Sequence, residues 1–347
     1  MPEPTTPRPE FAADPTSPAG PQVDLAFATS VAESDTSTSV VVDPAGEPQI
    51  TLGTRKLAEQ HDIVYATPQD SDGNPVPLRM DLLIPDTDEP APLVLYVPGG
   101  GFMISRKELS PETKAYVAEA GFAVASIEYR TNLQGITFRE AVADVQSALR
   151  HLRAHAEEYG IDTRRVALWG ESAGGYLVAM TGVLGGRSLS DPATTDPEAA
   201  VQAVVDMFGA SDLTRIAADF DPVTQAAYEG ADNIAAMFVN GRTSGASLAD
   251  APEAAAEANP VNHLDSTPTL PAFLLLHGTA DPVVSPSQTL LLHEALRAHG
   301  ADSTRVVLVG AGHGDLAVLN GEEAGQPWST RRTMDLVTDF LRRTLHA

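Results

Sequence analysis

The chain has 347 residues, of which 43% are hydrophobic and 20% are charged, so it can bury a large core. Its 22 basic and 47 acidic residues give a formal net charge of −25, and such a surface repels nucleic-acid phosphates and anionic lipid headgroups. Because cysteine is absent, the sequence excludes a disulfide framework, a thiolate metal site and a cysteine nucleophile. Covalent chemistry would therefore use Ser, Thr, Lys or a carboxylate.

The amino-terminal part of the chain has the composition of a tail. Residues 1–22 are rich in Pro, Thr, Ala and Glu, which predicts disorder. They show neither the basic region nor the apolar run of a secretory signal, and no stretch reaches the roughly 20 apolar residues of a membrane span. We therefore expect a cytoplasmic protein without a membrane span. Residues 23–60 form an N-terminal extension, which either precedes the main domain or joins a cap.

From residue 61 the sequence alternates between short apolar strands and helices. Ser110 and Pro111 predict the N-cap and first position of a helix that Gly121 ends. Apolar residues at helical spacing predict a second helix over residues 137–159. Strands are predicted at 61–67, 78–84, 92–97, 122–129, 165–169, 201–208, 272–276 and 304–309. Further helices are predicted from Ala173 onward, between the cap Ser285-Pro286 and Gly300, and over 328–345.

This alternation predicts one α/β domain over residues 61–347, built on a doubly wound, mostly parallel sheet. Residues 212–265 interrupt the alternation with an Ala-rich stretch of helical character. We interpret that stretch as an insertion between two strands, long enough to form a lid. No internal repeat is visible, and association into a homo-oligomer is left open.

The pattern G-x-S-x-G occurs at residues 170–174, and its context indicates a nucleophile. An apolar strand precedes it and a small-residue helix follows, as in the sharp strand-to-helix turn that exposes a reactive serine. The start of that helix also places amide dipoles beside developing negative charge. We therefore predict that Ser172 is a nucleophile. The alternative is a glycine-rich turn without chemistry.

A serine hydroxyl needs a base and an acid behind it. Of nine histidines, His313 alone lies in a glycine-rich loop just past a late strand, where the catalytic ends of the strands gather. Asp281 follows the preceding strand, so Ser172, Asp281 and His313 stand in the expected order. The alternative for His313 is an ordinary surface histidine. Asp206 and Asp212 are rival acids.

A glycine-rich loop follows the buried strand at residues 92–97 and offers backbone donors. Gly99, Gly100 and Gly101 let N–H groups turn inward without side-chain obstruction, as an oxyanion hole requires. The alternative is a flexible connector.

Candidates for binding the substrate are less specific. Each of the following could line an acyl or alcohol pocket, and each is as compatible with ordinary core: Phe102, Met103, Phe208, Met237 and Phe238. The sequence contains no P-loop, no G-x-G-x-x-G between a strand and a helix, and no metal-ligand cluster. We therefore expect no cofactor and no metal.

Together these motifs resemble the α/β-hydrolase superfamily. GESAGG, the pair Tyr129-Arg130, AVADVQSALRHLRAHAEEYGID and HGTADPVVSPSQTLLLHEALRAHG look like esterases grouped near hormone-sensitive lipase. The last segment is closer to the feruloyl/acetyl-esterase-like (BD-FAE) branch than to the lipase-like branch. The resemblance covers residues 60–345 and implies that the amides of Gly100, Gly101 and Ala173 form the oxyanion hole. Pro98 is a departure, because the family usually has His before the glycines.

The motifs and the resemblance predict a serine carboxylic-ester hydrolase that acts through an acyl-enzyme on a small to medium ester. One alternative is other acyl chemistry at the same three residues, as in a peptidase, a lactonase or an acyltransferase. A second is a non-catalytic, ligand-binding member of the fold. The complete Ser, His and Asp set disfavours that second alternative.

Overall fold

A computed structural model of the protein describes residues 27–191, 193–266, 269–315 and 326–345. The predicted tail at residues 1–22 and the start of the predicted extension at 23–26 lie outside the described residues. None of the helices in the described part of the chain is both long and apolar enough to cross a bilayer. A cytoplasmic location and a homo-oligomer stay predictions.

A single sheet of nine strands organises the described residues. The strands are β1 Val40–Val42, β2 Leu57–Ala66, β3 Leu78–Pro85, β4 Ala91–Val97, β5 Ala123–Ile127, β6 Ile161–Glu171, β7 Ala203–Met207, β8 Ala272–Gly278 and β9 Ser303–Leu308. Their spatial order is β1-β9-β8-β7-β6-β4-β5-β3-β2. All pairs from β1 across to β5 are parallel, whereas β3 and β2 extend the β5 edge in antiparallel fashion. The predicted doubly wound, mostly parallel sheet is confirmed.

Helices cover both faces of this sheet. They are α1 Pro111–Glu119, α2 Phe138–Ala154, α3 Ala156–Tyr159, α4 Ala173–Leu184, α5 Pro222–Ala227, α6 Ile234–Asn240, α7 Pro252–Glu257, α8 Ser287–Ala298 and α9 Arg331–Leu345. Buried residues of α1 and α9 share one apolar cluster, and those of α2, α4 and α8 share another. Each cluster lies on one side of the sheet.

Strand β4 shows why the central strands are apolar throughout. All seven of its residues are buried. Leu93 and Leu95 face the cluster of α2, α4 and α8, whereas Val94 and Tyr96 face that of α1 and α9. Because successive side chains of a strand point to opposite faces, a strand covered on both sides has to be apolar at every position.

Three helix predictions differ from the structure. The helix expected behind the cap Ser285-Pro286 begins at Ser287, with Pro286 as its N-cap and no side-chain cap. The helix expected over 137–159 breaks at His155, whose ring bonds back to the carbonyl of His151 at 2.8 Å, so that α2 and α3 are separate. Ser110 precedes α1 as expected, but it makes no side-chain cap. Its hydroxyl instead donates to Glu171 at 2.9 Å, because Ser110 adopts a left-handed backbone conformation with φ 53°.

The first strand beyond the extension also starts earlier than expected. β2 begins at Leu57 rather than at residue 61 and continues through an irregularity between Gln60 and Ile63. The apolar run at Val40–Val42 forms the edge strand β1 beside β9. The sequence pattern leaves this segment unassigned, because three residues are too few to show a period.

Residues 212–265 lie between β7 and β8 and contain the short helices α5, α6 and α7. The carbonyl of Ala258 accepts a hydrogen bond from Tyr176 of α4 at 2.8 Å, which ties this stretch to the helix after Ser172. The extension packs against the same stretch, because the amide of Ala32 donates to Asp219 at 2.7 Å.

Candidate active site

Ser172 lies at the turn between β6 and α4, with φ 54° and ψ −117°. A non-glycine residue adopts such angles only under strain, and strain of this kind is typical of functional sites. A Cβ on Gly170 would collide with the carbonyl of Gly174, and a Cβ on Gly174 would collide with that of Val97. Both glycines of the motif are therefore required by the close approach of β6, α4 and β4.

Three side chains from separate segments meet at this turn. Oγ of Ser172 lies 2.7 Å from Nε2 of His313, and Nδ1 of His313 lies 2.7 Å from Oδ2 of Asp281. Asp281 follows β8 and His313 follows β9, so parallel strands bring them to the same edge of the sheet. Phe208 packs edge-on against the ring of His313, with centroids 4.8 Å apart. The structure thus brings together the three residues that the sequence singles out.

Asp281 is fully buried, and several hydrogen bonds fix its carboxylate. Its Oδ1 accepts the amides of Val283 and Val284 at 2.8 and 2.9 Å. Burial alone would raise the pKa of Asp281, but the charge of His313 and the hydrogen bonds from His277 and His313 hold it below its ordinary value. An ionised carboxylate therefore faces Nδ1 of His313.

The rival acids lie elsewhere. Asp206 accepts the amide of Gly209 at 2.9 Å, and burial raises its pKa to about 7. Asp212 caps a short 3-10 helix through the amide of Thr214. Among the described residues, the carboxylate that accepts a hydrogen bond from His313 is that of Asp281 and of neither rival. In that same part of the chain, no cluster of His, Asp or Glu is arranged to hold a metal ion.

The loop after β4 bends sharply beside Ser172. Gly100 and Gly101 have φ values of 147° and 58°, which favour glycine. A Cβ on Gly100 would collide with the carbonyl of Ile104. In the described part of the chain, no acceptor takes the amide hydrogen of Gly100 or Gly101. These two donors are available to a bound group.

Neighbouring segments hold this loop in place. The hydroxyl of Tyr129 donates to the carbonyl of Pro98 at 3.1 Å. The carbonyl of Phe102 accepts the amide of Asn132 at 2.9 Å, and that of Met103 accepts the hydroxyl of Thr131 at 3.1 Å. The loop is therefore fastened from the segment that follows β5.

A small apolar pocket opens next to Ser172, with an empty volume of about 360 Å³ that includes its open side. The insertion contributes Ile216, Tyr228 and Ile234 to its wall. The segment after Asp281 contributes Val283 and Val284, and the remaining walls are Gly101, Phe102, Ala173 and Ala210. Residues from five parts of the chain thus line the space in front of the serine.

The five residues singled out as candidates for this pocket lie in different places. Phe102 lines the pocket and stacks on Phe238, with ring centroids 3.9 Å apart. Phe208 contacts His313, as described above. Met237 and Phe238 are buried in α6, and Met103 is half-buried against the core. Of these five, Phe102 is the one that the pocket wall includes.

Several wall residues escape the sequence reasoning. Ile216, Tyr228 and Ile234 lie inside the insertion, and no local pattern distinguishes them from its other apolar residues. Val283 and Val284 carry a usable signal, because they lie two and three residues after Asp281 and their amides donate to its carboxylate.

Comparison with known proteins agrees with this geometry. Probable carboxylic ester hydrolase LipM of Mycobacterium tuberculosis is 27% identical over 244 residues, which are 70% of this chain and 53% of LipM. Esterase LipC of the same organism is 29% identical over 244 residues, 68% of this chain and 56% of LipC. The chain thus spans about half the length of these curated relatives.

A solved structure and a family model show the fold and the family of the chain. A truncated form of a carbohydrate esterase from gut microbiota superposes with a TM-score of 0.66 at 23% identity, over 88% of this chain and 100% of that one. This likeness shows the α/β-hydrolase fold. The family model BD-FAE matches residues 80–296, more than half of the chain. The chain therefore belongs to the BD-FAE family.

Proposed function

We propose that the protein is a serine hydrolase that cleaves a carboxylic ester through an acyl-enzyme on Ser172. One observation carries the proposal: Ser172, His313 and Asp281 are joined by two hydrogen bonds of 2.7 Å beside a pocket that Ser172 itself lines. Membership of the BD-FAE family supports it, as do the names of relatives that are described as ester hydrolase and esterase.

The chemistry follows from the two hydrogen bonds. As Oγ of Ser172 attacks the ester carbonyl carbon, Nε2 of His313 takes its proton, and Asp281 stabilises the cation that forms. The tetrahedral intermediate collapses when His313 returns the proton to the leaving alkoxide. His313 then takes a proton from a water molecule that attacks the acyl-serine, and returns that proton to Oγ of Ser172 as the acid leaves. No cofactor takes part in these steps.

The negative oxygen of each intermediate needs donors. We assign them to the amides of Gly100, Gly101 and Ala173. The first two amides are free of acceptors within the described residues, which supports this assignment. Ala173 is the first residue of α4, and the first amides of a helix have no acceptor within it.

The pocket indicates the size of the substrate. The pocket is small, and its side-chain walls are almost wholly apolar. We therefore propose that a short acyl chain occupies it and that the substrate is a small-molecule ester. Because Ile216, Tyr228 and Ile234 form part of the wall, we also propose that residues 212–265 act as a lid that sets acyl selectivity.

A panel of p-nitrophenyl esters from acetate to decanoate, together with a fluorophosphonate probe, tests the proposal. We expect turnover of the short esters and covalent labelling of Ser172. A protein that ignores the probe and every ester would be a non-catalytic binding member of the fold. Labelling without ester turnover, combined with cleavage of peptides or lactones or transfer to an added alcohol, would assign the other acyl chemistry.

A further inference from the structure

We propose that His277 acts through Asp281 as a positioning residue: its Nε2–H shares the carboxylate's charge with His313 and so sets the pH range over which His313 accepts the proton of Ser172. The proposal rests on the function proposed above. His277 belongs to β8 and is fully buried. Its Nε2 lies 3.3 Å from Oδ2 of Asp281, the same oxygen that bonds His313 at 2.7 Å.

The position of the proton on His277 follows from its partners. Nε2 also lies 3.0 Å from the carbonyl oxygen of Val284. A carbonyl and a carboxylate only accept hydrogen bonds, so Nε2 has to carry a hydrogen, which it donates to the carbonyl of Val284. The same N–H lies 3.3 Å from Oδ2 of Asp281, so the carboxylate has a second imidazole N–H beside that of His313.

The other nitrogen of His277 is held as an acceptor. Nδ1 lies 3.1 Å from the hydroxyl of Thr289 on α8. That hydroxyl already accepts Nε–H of Arg305 at 3.1 Å, and a guanidinium can only donate. The hydroxyl proton of Thr289 has two acceptors within reach, Nδ1 of His277 at 3.1 Å and the carbonyl oxygen of Pro286 at 3.4 Å. The shorter contact to Nδ1 matches the Nε2–H tautomer of His277.

Arg305 is a fixed anchor for this chain of bonds. It is fully buried in β9, and its side chain also donates to the carbonyls of Pro286 at 2.9 Å and Asp35 at 3.1 Å. The hydroxyl of Ser39 accepts from it at 2.9 Å. The relay therefore runs from the N-terminal extension through Arg305, Thr289 and His277 to the carboxylate of Asp281.

Several charged and titratable groups surround His277. Asp281 and His313 face it from the loops after β8 and β9, and Arg305 faces it through Thr289. Tyr228 of the insertion stays protonated, because burial and the charge of Asp281 raise its pKa to about 12. Asp35, Asp219 and Glu294 act on Arg305 rather than on the imidazole.

Removing the N–H donor of His277 should shift the pH dependence of kcat/KM to higher pH. An N–H that binds a carboxylate withdraws part of its charge. Without that N–H, more of the charge of Asp281 acts on His313 and stabilises its protonated form, which cannot act as a base. The acid limb of the kcat/KM profile should therefore move to higher pH.

A pair of variants of similar length separates this effect from packing. In His277→Met the donor is lost, and we expect kcat/KM on p-nitrophenyl acetate to fall about tenfold on the acid limb while the plateau and KM stay within about threefold. His277→Gln retains an N–H near the position of Nε2 and should restore the wild-type limb. Thr289→Val, which frees the tautomer, should give a smaller shift in the same direction.

His293 provides the matched control. It is another buried histidine, with Nδ1 2.8 Å from the hydroxyl of Ser303 and Nε2 3.3 Å from the carbonyl of Thr38. His293→Met should lower the melting temperature without moving the limb. An unmoved limb in His277→Met, a limb moved to lower pH, or a His277→Gln variant as impaired as His277→Met would overturn the inference.

A second readout does not depend on turnover. The proton on Nδ1 of His313 should give a far-downfield NMR signal, identified by its loss in His313→Ala. Its titration should move to higher pH in His277→Met and not in His293→Met. If the wild-type protein hydrolyses no ester and yet this titration moves, the proposed function fails, while the effect of His277 on His313 through Asp281 stands. If the wild-type protein is active and the titration does not move, the inference alone fails.

Discussion

The hydroxyl of Tyr129 lies 3.1 Å from the carbonyl oxygen of Pro98, the residue directly before the glycines proposed as oxyanion donors. Tyr129 is buried, and burial raises its pKa, so the phenol stays protonated and donates. Proline has no amide hydrogen and cannot brace the loop through an N–H of its own. The bond from Tyr129 supplies a brace through the carbonyl instead.

Removal of this brace should impair catalysis more than folding. In Tyr129→Phe the loop keeps its apolar packing and loses one hydrogen bond, so the glycine amides should be less well aligned with the oxyanion. We expect kcat to fall about tenfold with KM little changed. The measurement is steady-state kinetics on p-nitrophenyl acetate.

Tyr116→Phe is the matched control, because the hydroxyl of Tyr116 also donates one hydrogen bond, to Asp335 at 2.6 Å, which joins α1 to α9 and involves neither the loop nor the segment after β5. It should lower the melting temperature and leave kcat unchanged. Equal losses of kcat in the two variants would show that the Tyr129 bond contributes stability alone.

The acid of the site is tested by comparing two buried aspartates. Asp281→Asn should lower kcat by about 10² to 10⁴, because a carboxamide cannot stabilise the imidazolium and can impose the wrong tautomer on His313. Asp206→Asn should leave kcat within about threefold, since Asp206 bonds to the amide of Gly209. The reverse ranking would move the acid to the end of β7.

Asp206 should also make stability depend on pH. Its pKa is raised from 3.8 to about 7, so the folded protein binds a proton that the unfolded chain releases above pH 4. The stabilisation is complete at low pH and is lost as the pH rises from 4 to 7, by on the order of 4 kcal/mol. Urea unfolding at pH 5 and pH 8 measures the part of this loss between pH 5 and pH 7, about 3 kcal/mol. Asp206→Asn should lose less stability over that range, and an equal loss in both proteins would contradict the prediction.

The lid, residues 212–265, should determine which length of acyl chain the enzyme prefers. Ile234 lies in the pocket wall, with its Cδ1 3.1 Å from where a Cβ on Gly101 would stand. Ile234→Ala should enlarge the pocket and move the preferred acyl chain up by about two carbon atoms. The ester panel gives the readout as kcat/KM against chain length.

Ile136→Ala, a truncation in the buried core, serves as the control. It should lower stability without changing the order of the esters. An unchanged preference in Ile234→Ala would remove Ile234 from the acyl site.

Much of the site could be predicted because its determinants are local. The glycines around Ser172 are dictated by a tight turn, and the order of strands places Asp281 and His313 on the same edge. The pocket wall could not be predicted in this way, because Ile216 and Ile234 are placed by the packing of short helices that have no strong period.

Two contacts at the site also could not be predicted from the sequence. The bond between Tyr129 and Pro98 joins segments far apart in the chain, so neither residue signals the other. His277 looks like an ordinary strand residue. Its role depends on the fold bringing Asp281 and Thr289 to opposite ends of its ring, at 3.3 and 3.1 Å.

Replacement of the nucleophile tests the central claim most directly. In Ser172→Ala the attacking oxygen is absent, so ester turnover should fall by about 10⁴ to 10⁶. The variant should keep the wild-type melting temperature and should no longer gain mass from the fluorophosphonate probe. A variant that folds, keeps near-wild-type turnover of p-nitrophenyl acetate and is still labelled would show that the reaction does not pass through Ser172.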